Sequence, residues 1–115
     1  MKIYVISSDS FLAQEMITNF PSNEYSIEIH ENGLEVLGDI RDNIPDAIVI
    51  DNDCDGINPL VLNKILNRDS RFEKTIFHYV IAKPIKNDDE FLKNNNIVNL
   101  LIKPVDFKTL KASLK

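Results

Sequence analysis

The stretch Pro45-Asp46-Ala47-Ile48-Val49-Ile50-Asp51 constrains the fold more than any other part of the chain. Four apolar residues run together, three of them β-branched, with an acid at each end and a proline at the start. A short continuous apolar run of this kind reads as a strand covered on both faces, as in a parallel sheet. In open α/β sheets, ligands and chemistry collect at the carboxyl ends of the strands. Asp51 stands at such an end, and the question is which groups keep it company.

The rest of the chain supplies the partners that a buried strand needs. Ile3-Tyr4-Val5-Ile6 is a second apolar run, ending in the good helix-capping cluster Ser7-Ser8-Asp9-Ser10. Leu12, Met16 and Phe20 then recur every four residues, with Ala13 and Ile17 widening the same face, until Pro21-Ser22-Asn23 ends the helix. Tyr25–His30 alternates apolar and polar residues, the pattern of a half-exposed strand near a sheet edge. After the turn Glu31-Asn32-Gly33, the spacing of Leu34, Leu37, Ile40 and Ile44, flanked by Val36, predicts a helix stopped by Pro45. Beyond the central strand comes a polar loop to Asn58, with Pro59 placed to open a helix whose apolar face is Leu60, Val61, Leu62, Ile65 and Leu66. Asn67–Arg71 is its polar exit. Thr75–Ala82 reads as a fourth strand. Asn87-Asp88-Asp89-Glu90 caps a short helix carrying Phe91 and Leu92, and Asn94-Asn95-Asn96 closes it as a solvated turn. Ile97–Ile102 is a fifth strand, and Asp106 caps a last helix with Phe107, Leu110 and Leu114.

Five strands thus alternate with five helices. That alternation predicts an α/β three-layer sandwich, a five-stranded parallel sheet with helices on both faces. The expected form is flavodoxin-like, with strand order 2-1-3-4-5 and a switch point between the first and third strands, where Ser7, Ser8 and Asp9 would face Asp51. At 115 residues the chain suits one domain, long enough to bury a core without staples. The net charge of −5 argues against nucleic-acid binding by this domain. No apolar run approaches a membrane span and no signal-peptide pattern opens the chain. A single cysteine, Cys54, leaves no internal disulfide and fits a reducing compartment, so a cytoplasmic location is expected. Three glycines are too few for a phosphate-cradling glycine loop.

Three strand ends bring polar groups together: Ser7-Ser8-Asp9, Asp51 and Lys103. Here the chain resembles the receiver domain of bacterial response regulators over nearly its whole length. Pro45–Asp51 looks like that family's phosphoacceptor strand, and Leu101-Ile102-Lys103-Pro104-Val105 like its Lys-Pro strand end. The resemblance implies a phosphoacceptor position at Asp51, modified by a histidine kinase with Mg²⁺ bound. It also implies a lysine at Lys103 that contacts the phosphoryl group, and one receiver-like domain over residues 1–115, alone or within a longer regulatory protein.

Several positions depart from the family pattern. The acid pair that holds Mg²⁺ falls on Ser7 and Ser8, the hydroxyl of strand 4 on Ile81, and the aromatic of strand 5 on Leu100. Mg²⁺ needs carboxylate charge to hold it, and two serines supply none. Without the ion, charge building on a transferring phosphoryl group meets little except Lys103. The expectation is therefore a pseudo-receiver, a non-enzymatic module without metal or cofactor, in which Asp51 and Lys103 form an ion pair. The alternative is a working phosphoacceptor of a two-component system whose Mg²⁺ site is rebuilt from Asp9, Asp51 and Asp53. On the simpler reading, Asp9 caps a helix and Asp53 is a solvated loop acid.

The partners implied by the resemblance are proteins, or a second copy, docking on the face of helix 4, strand 5 and helix 5. Lys83, Pro84, Ile85, Phe91, Val105 and Phe107 belong to that face. Other signals carry less. Asp51–Gly56 matches the first half of a calcium loop, but the twelfth position is Leu62 where a bidentate glutamate is needed. Cys54 has no basic neighbour to activate it. His30 and His78 lie in different strands without matching ligands, and His78 is expected under a helix or in solvent. A flavodoxin-type small-ligand site would need loop groups that hold a phosphate by backbone amides, and these loops lack them.

Overall fold

The computed structural model describes residues 1–40, 43–85 and 88–114. Its strands are β1 (Lys2–Ile6), β2 (Ser26–His30), β3 (Ala47–Asp51), β4 (Ile76–Ile81) and β5 (Leu100–Ile102). They form one sheet in the order β2-β1-β3-β4-β5, with every pairing parallel. The helices are α1 (Ser10–Asn19), α2 (Gly33–Asp39), α3 (Pro59–Arg68), α4 (Asp88–Asn94) and α5 (Phe107–Ser113), with a 3-10 turn at Ser70–Phe72. The flavodoxin-like sandwich and its 2-1-3-4-5 order are as expected.

Burial follows position in the sheet. All five residues of β3 are buried, whereas the edge strand β2 is half-exposed. Side chains alternate across the sheet and feed two apolar layers. Tyr4, Ile6, Ile48, Ile50, Tyr79 and Ile81 meet Val36, Ile40, Leu62 and Leu66 on one side, with Phe91 and Leu92 of α4 packed against them. On the other, Ile3, Val5, Val49 and Val80 meet Leu12 and Met16 of α1 and Leu110 of α5.

The helix starts are set by side-chain caps. Asp9, Asn32, Asn58 and Asp106 each accept backbone N–H groups of the first turn, and Pro59 occupies the first turn of α3. Asn87, read from the sequence as part of a cap for α4, lies outside the described residues. Gly56 has φ +87° and sits so close to the Asn32 side chain that a Cβ would collide with it.

Three helix faces differ from the sequence reading in which apolar residues point inward. Ile17 is 53% exposed, so only Leu12, Met16 and Phe20 hold α1 to the sheet. In α2 the inward pair is Val36 and Ile40, while Leu34 points out and Ile44 lies beyond the helix. In α3 the pair Leu62 and Leu66 is buried with Asn63, and Val61 and Ile65 are exposed. α1 and α3 each offer two overlapping i,i+4 apolar pairs offset by one residue, Leu12/Met16 with Ala13/Ile17 and Leu62/Leu66 with Val61/Ile65. One residue turns a helix by about 100°, so the sheet accepts one pair and excludes the other.

The chain before β5 also differs. The strand starts at Leu100, three residues later than the apolar run, with Ile97 buried ahead of it and Val98 exposed. The asparagine turn is not simply solvated. The buried Asn63 donates from Nδ2 to the carbonyls of Asn95 at 2.9 Å and Asn96 at 3.2 Å. Asn96 takes the left-handed φ of 57° that asparagine tolerates.

Candidate functional site

The crevice lies where β1, β3 and β5 end together. Ser7 follows β1 and is tied into the sheet by its N–H, which donates to the His30 carbonyl. Asp51 is the last residue of β3 and is 1% exposed. Lys103 follows β5, and its N–H donates to the carbonyl of Ile81 at 2.9 Å. The Lys103–Pro104 peptide is cis. Asp9 enters from the start of α1.

These four side chains form one closed network. Lys103 Nζ lies 2.8 Å from Asp51 Oδ2 and 2.8 Å from Asp9 Oδ2, so one ammonium bridges two carboxylates. Ser7 Oγ donates to Asp51 Oδ2 at 2.7 Å and accepts the Asp9 N–H at 3.0 Å. The Asp53 N–H donates to Asp51 Oδ1 at 3.0 Å. Asp9 Oδ1 meanwhile caps α1 by accepting from Phe11 and Leu12. Both oxygens of the buried Asp51 are therefore satisfied, as a buried carboxylate requires.

The electrostatics follow from this geometry. The hydrogen bond from Lys103 holds the Asp9 carboxyl below its ordinary value, against the opposing effect of burial. Burial pulls Lys103 down, but its hydrogen bonds to Asp51 and Asp9 outweigh that and raise it overall. Each partner thus favours the charged form of the other.

The positions that depart from the family pattern each have a structural role. Ser8 is turned away from Asp51: its Oγ donates to the Glu31 carbonyl at 3.2 Å, and its N–H donates to the Asp53 carbonyl at 2.8 Å. Asp53 is an exposed loop acid whose backbone, not its side chain, supports Asp51. Ile81 is buried in the apolar layer, and Leu100 packs against the same layer. Neither presents a polar atom to the crevice.

These residues do not fit Mg²⁺. The position between Asp9 and Asp51 is spanned by the Lys103 ammonium, Ser7 and Ser8 are neutral, and Ser8 faces the backbone. A divalent ion would have to displace a cation already bonded to both carboxylates. Among the described residues, no group of three His, Cys, Asp or Glu side chains is placed to hold a metal ion.

Beside this charged network, at the end of β4, is an apolar hollow of about 450 Å³ lined by Asn52, Leu60, Ile81, Ala82, Lys83, Ile85 and Phe91. Its polar support was not legible in the sequence. Tyr79, buried on β4, donates from its hydroxyl to Asn52 Oδ1 at 2.6 Å and so pins the loop after Asp51. Two cues point to it in hindsight: Tyr79 lies two residues before Ile81, on the same face, and opposite Ile50 on the neighbouring strand. Cys54 is half-buried, and burial together with Asp51, Asp55 and Asp53 pushes its thiol up to about 11. That is the reverse of an activated cysteine.

The structure redraws the expected interaction face. Lys83 and Pro84 are exposed, but Ile85 and Phe91 pack against the core. Val105 is buried, and Phe107 packs edge-on against Phe20 with ring centroids 6.3 Å apart. Val105 and Phe107 therefore hold α5 to the sheet. Among the described residues, Ile102 of β5 is exposed on this side, at 41%.

No protein-family model matches the sequence, and no curated protein matches it. Solved structures do match the fold. A protein of Chloroflexus aurantiacus described as a response regulator superposes with TM-score 0.86 at 19% identity, over 99% of this chain and 93% of that one. The receiver domain of the Francisella response regulator 1452 gives 0.82 at 24% identity, over 98% and 92%. The chemotaxis protein CheY4 of Vibrio cholerae gives 0.83 at 18% identity, over 98% and 94%.

The fold is that of response-regulator receiver domains. At these identities the likeness is one of fold, and what the crevice does must be argued from its own residues. In this receiver fold, Asp51 ends the third strand and Lys103 ends the fifth, in direct contact across the crevice. Among the described residues, no helix is long and apolar enough to cross a membrane.

Proposed function

We propose that this chain is an atypical receiver domain of a bacterial signalling or transcription-regulatory protein, working as a protein-interaction module without phosphorylation of Asp51. One observation carries the reading: the Lys103 ammonium lies 2.8 Å from both Asp51 and Asp9, so a cation of the chain itself already occupies the place between the two carboxylates. Phosphoryl transfer needs a free carboxylate oxygen and a metal ion to offset growing charge. Here Asp51 Oδ2 is engaged by Lys103 and Ser7, Oδ1 by the Asp53 N–H, and the metal-holding acids are serines.

The partner is a protein or a second copy of the chain, met on the exposed part of the α4–β5–α5 side around Lys83, Pro84 and Ile102. Its surface combines an exposed cation with exposed apolar groups. Incubation of the protein with acetyl phosphate and Mg²⁺, followed by intact mass measurement, tests the reading. The expected result is an unmodified mass. A phosphoryl adduct lost in Asp51→Asn would overturn it.

One feature favours the second reading, a phosphoacceptor with a rearranged metal site. Asp9 and Asp51 do converge on a single point, and a metal ion that displaced Lys103 would meet two carboxylates there. Asp53, exposed and engaged only through its backbone, does not complete such a set in this arrangement. The same experiment separates the readings, because only the second yields an adduct.

A further inference from the structure

On the opposite side of β4 from Tyr79, the buried His78 (1% exposed) is held by one hydrogen bond, Nε2 to Ser113 Oγ at 2.7 Å. Ser113 Oγ in turn donates to the Leu110 carbonyl at 2.7 Å. Its single proton is thus committed, so the hydroxyl accepts and His78 Nε2 carries the hydrogen. That leaves Nδ1 as a bare lone pair, buried and without a hydrogen-bond partner.

We propose that His78 is an acid-sensitive latch for the last turn of α5, which it holds against the sheet only while its ring is neutral. Protonation would keep the bond to Ser113 but place a charge, and an Nδ1–H with no acceptor, in an apolar layer. Val49 lies opposite His78 on β3, and Leu110 and Leu114 close the same layer from α5. The ionisable side chains of the surrounding elements offer no relief. Those of α5 are Lys108 and Lys111, both cations, with Lys111 drawn over the Phe20 ring at 5.4 Å. Glu15 is the acid of α1, Asp51 ends β3 in the Lys103 network, Lys2 opens β1 and β5 has none. Burial alone depresses the His78 pKa from its ordinary 6.5.

The sign follows from linkage. A histidine depressed in the docked state binds protons more readily when exposed, so docking is strongest above about pH 6.5 and weakens as pH falls. Between 6.5 and the depressed value, the docking equilibrium falls up to roughly tenfold per pH unit. The reorganisation would alter the α4–β5–α5 side from beneath, without involving Asp51.

An NMR titration of ¹⁵N-labelled protein from neutral to mildly acid pH tests this. The ring nitrogens of His78 should show an Nε2–H tautomer, and should titrate below the value of an exposed histidine. The amides of residues 110–114 should shift or broaden with that same midpoint. In His78→Gln, whose amide can still donate to Ser113 but cannot charge, those amides should lose the acid response. A His78 ring that titrates at or above its ordinary value in the folded protein overturns the proposal, and this reading needs no variant to fold. So does an α5 response that is absent, or unchanged in His78→Gln.

Discussion

The two halves of the crevice are built on opposite principles. At the ends of β1, β3 and β5, charge is dense and closed: Ser7, Asp9, Asp51 and Lys103 satisfy one another. At the end of β4 the crevice is apolar and open, a hollow bounded by Ile81, Ala82, Ile85 and Phe91. A working phosphorylation switch needs the reverse, an open charged pocket beside a polar strand-4 group that can reach the phosphoryl oxygens. The difference supports the proposed reading of Asp51 as a structural carboxylate. Its environment holds it still, and the open surface beside it offers no polar strand-4 group to report a change at Asp51.

The largest expected effect on this contrast is Lys103→Met. It leaves the buried Asp51 without its counter-charge, a loss of the kind that costs about 3–5 kcal/mol. Chemical denaturation of the two proteins measures it; a cost near zero would mean the charged half is not held by this lysine. Asp51→Asn should cost less, about 1–2 kcal/mol, because Lys103 keeps Asp9 and the amide can still accept from Ser7 or the Asp53 N–H. Partner binding should survive Asp51→Asn unchanged.

The pH limbs come next. Asp9 is depressed below its ordinary 3.8, so its contribution is present above that value and lost as pH falls through the folded value. Lys103 is raised above its ordinary 10.5, so its contribution is present below that value and lost as pH rises through the folded one. Thermal melts of wild type and Asp9→Asn should therefore diverge most between about pH 4 and pH 10 and converge in strong acid. The smallest effect is Ser7→Ala, about 1 kcal/mol for one hydrogen bond whose acceptor keeps Lys103. A much larger loss would show Ser7 rather than Lys103 to be the main support of Asp51.

The sheet was legible in the sequence because its strands announce themselves individually. The apolar runs at Ile3–Ile6 and Ala47–Ile50 fall on β1 and β3, and the alternating Tyr25–His30 on the edge strand. The helix faces were less legible, since Val61 and Ile65 are as apolar as Leu62 and Leu66 and only the docking angle separates them. Of the site, the meeting of Asp51 with Lys103 was foreseen. The second carboxylate on Lys103 has no such signal: in the sequence Asp9 reads as a cap or a metal ligand, and in the structure it is a cap and an ion-pair partner at once. Side-chain contacts between residues 94 positions apart leave no local pattern to read. The same holds for Tyr79 with Asn52 and for His78 with Ser113.

On the proposed reading, the Lys103 ammonium serves where a receiver would hold a metal ion. A Mg²⁺ titration followed by amide chemical shifts tests it most directly. The expected result is no saturable change at Ser7, Asp9, Asp51 or Asp53 into the millimolar range. Saturable shifts centred on Asp9 and Asp51, abolished in Asp9→Asn, would contradict it.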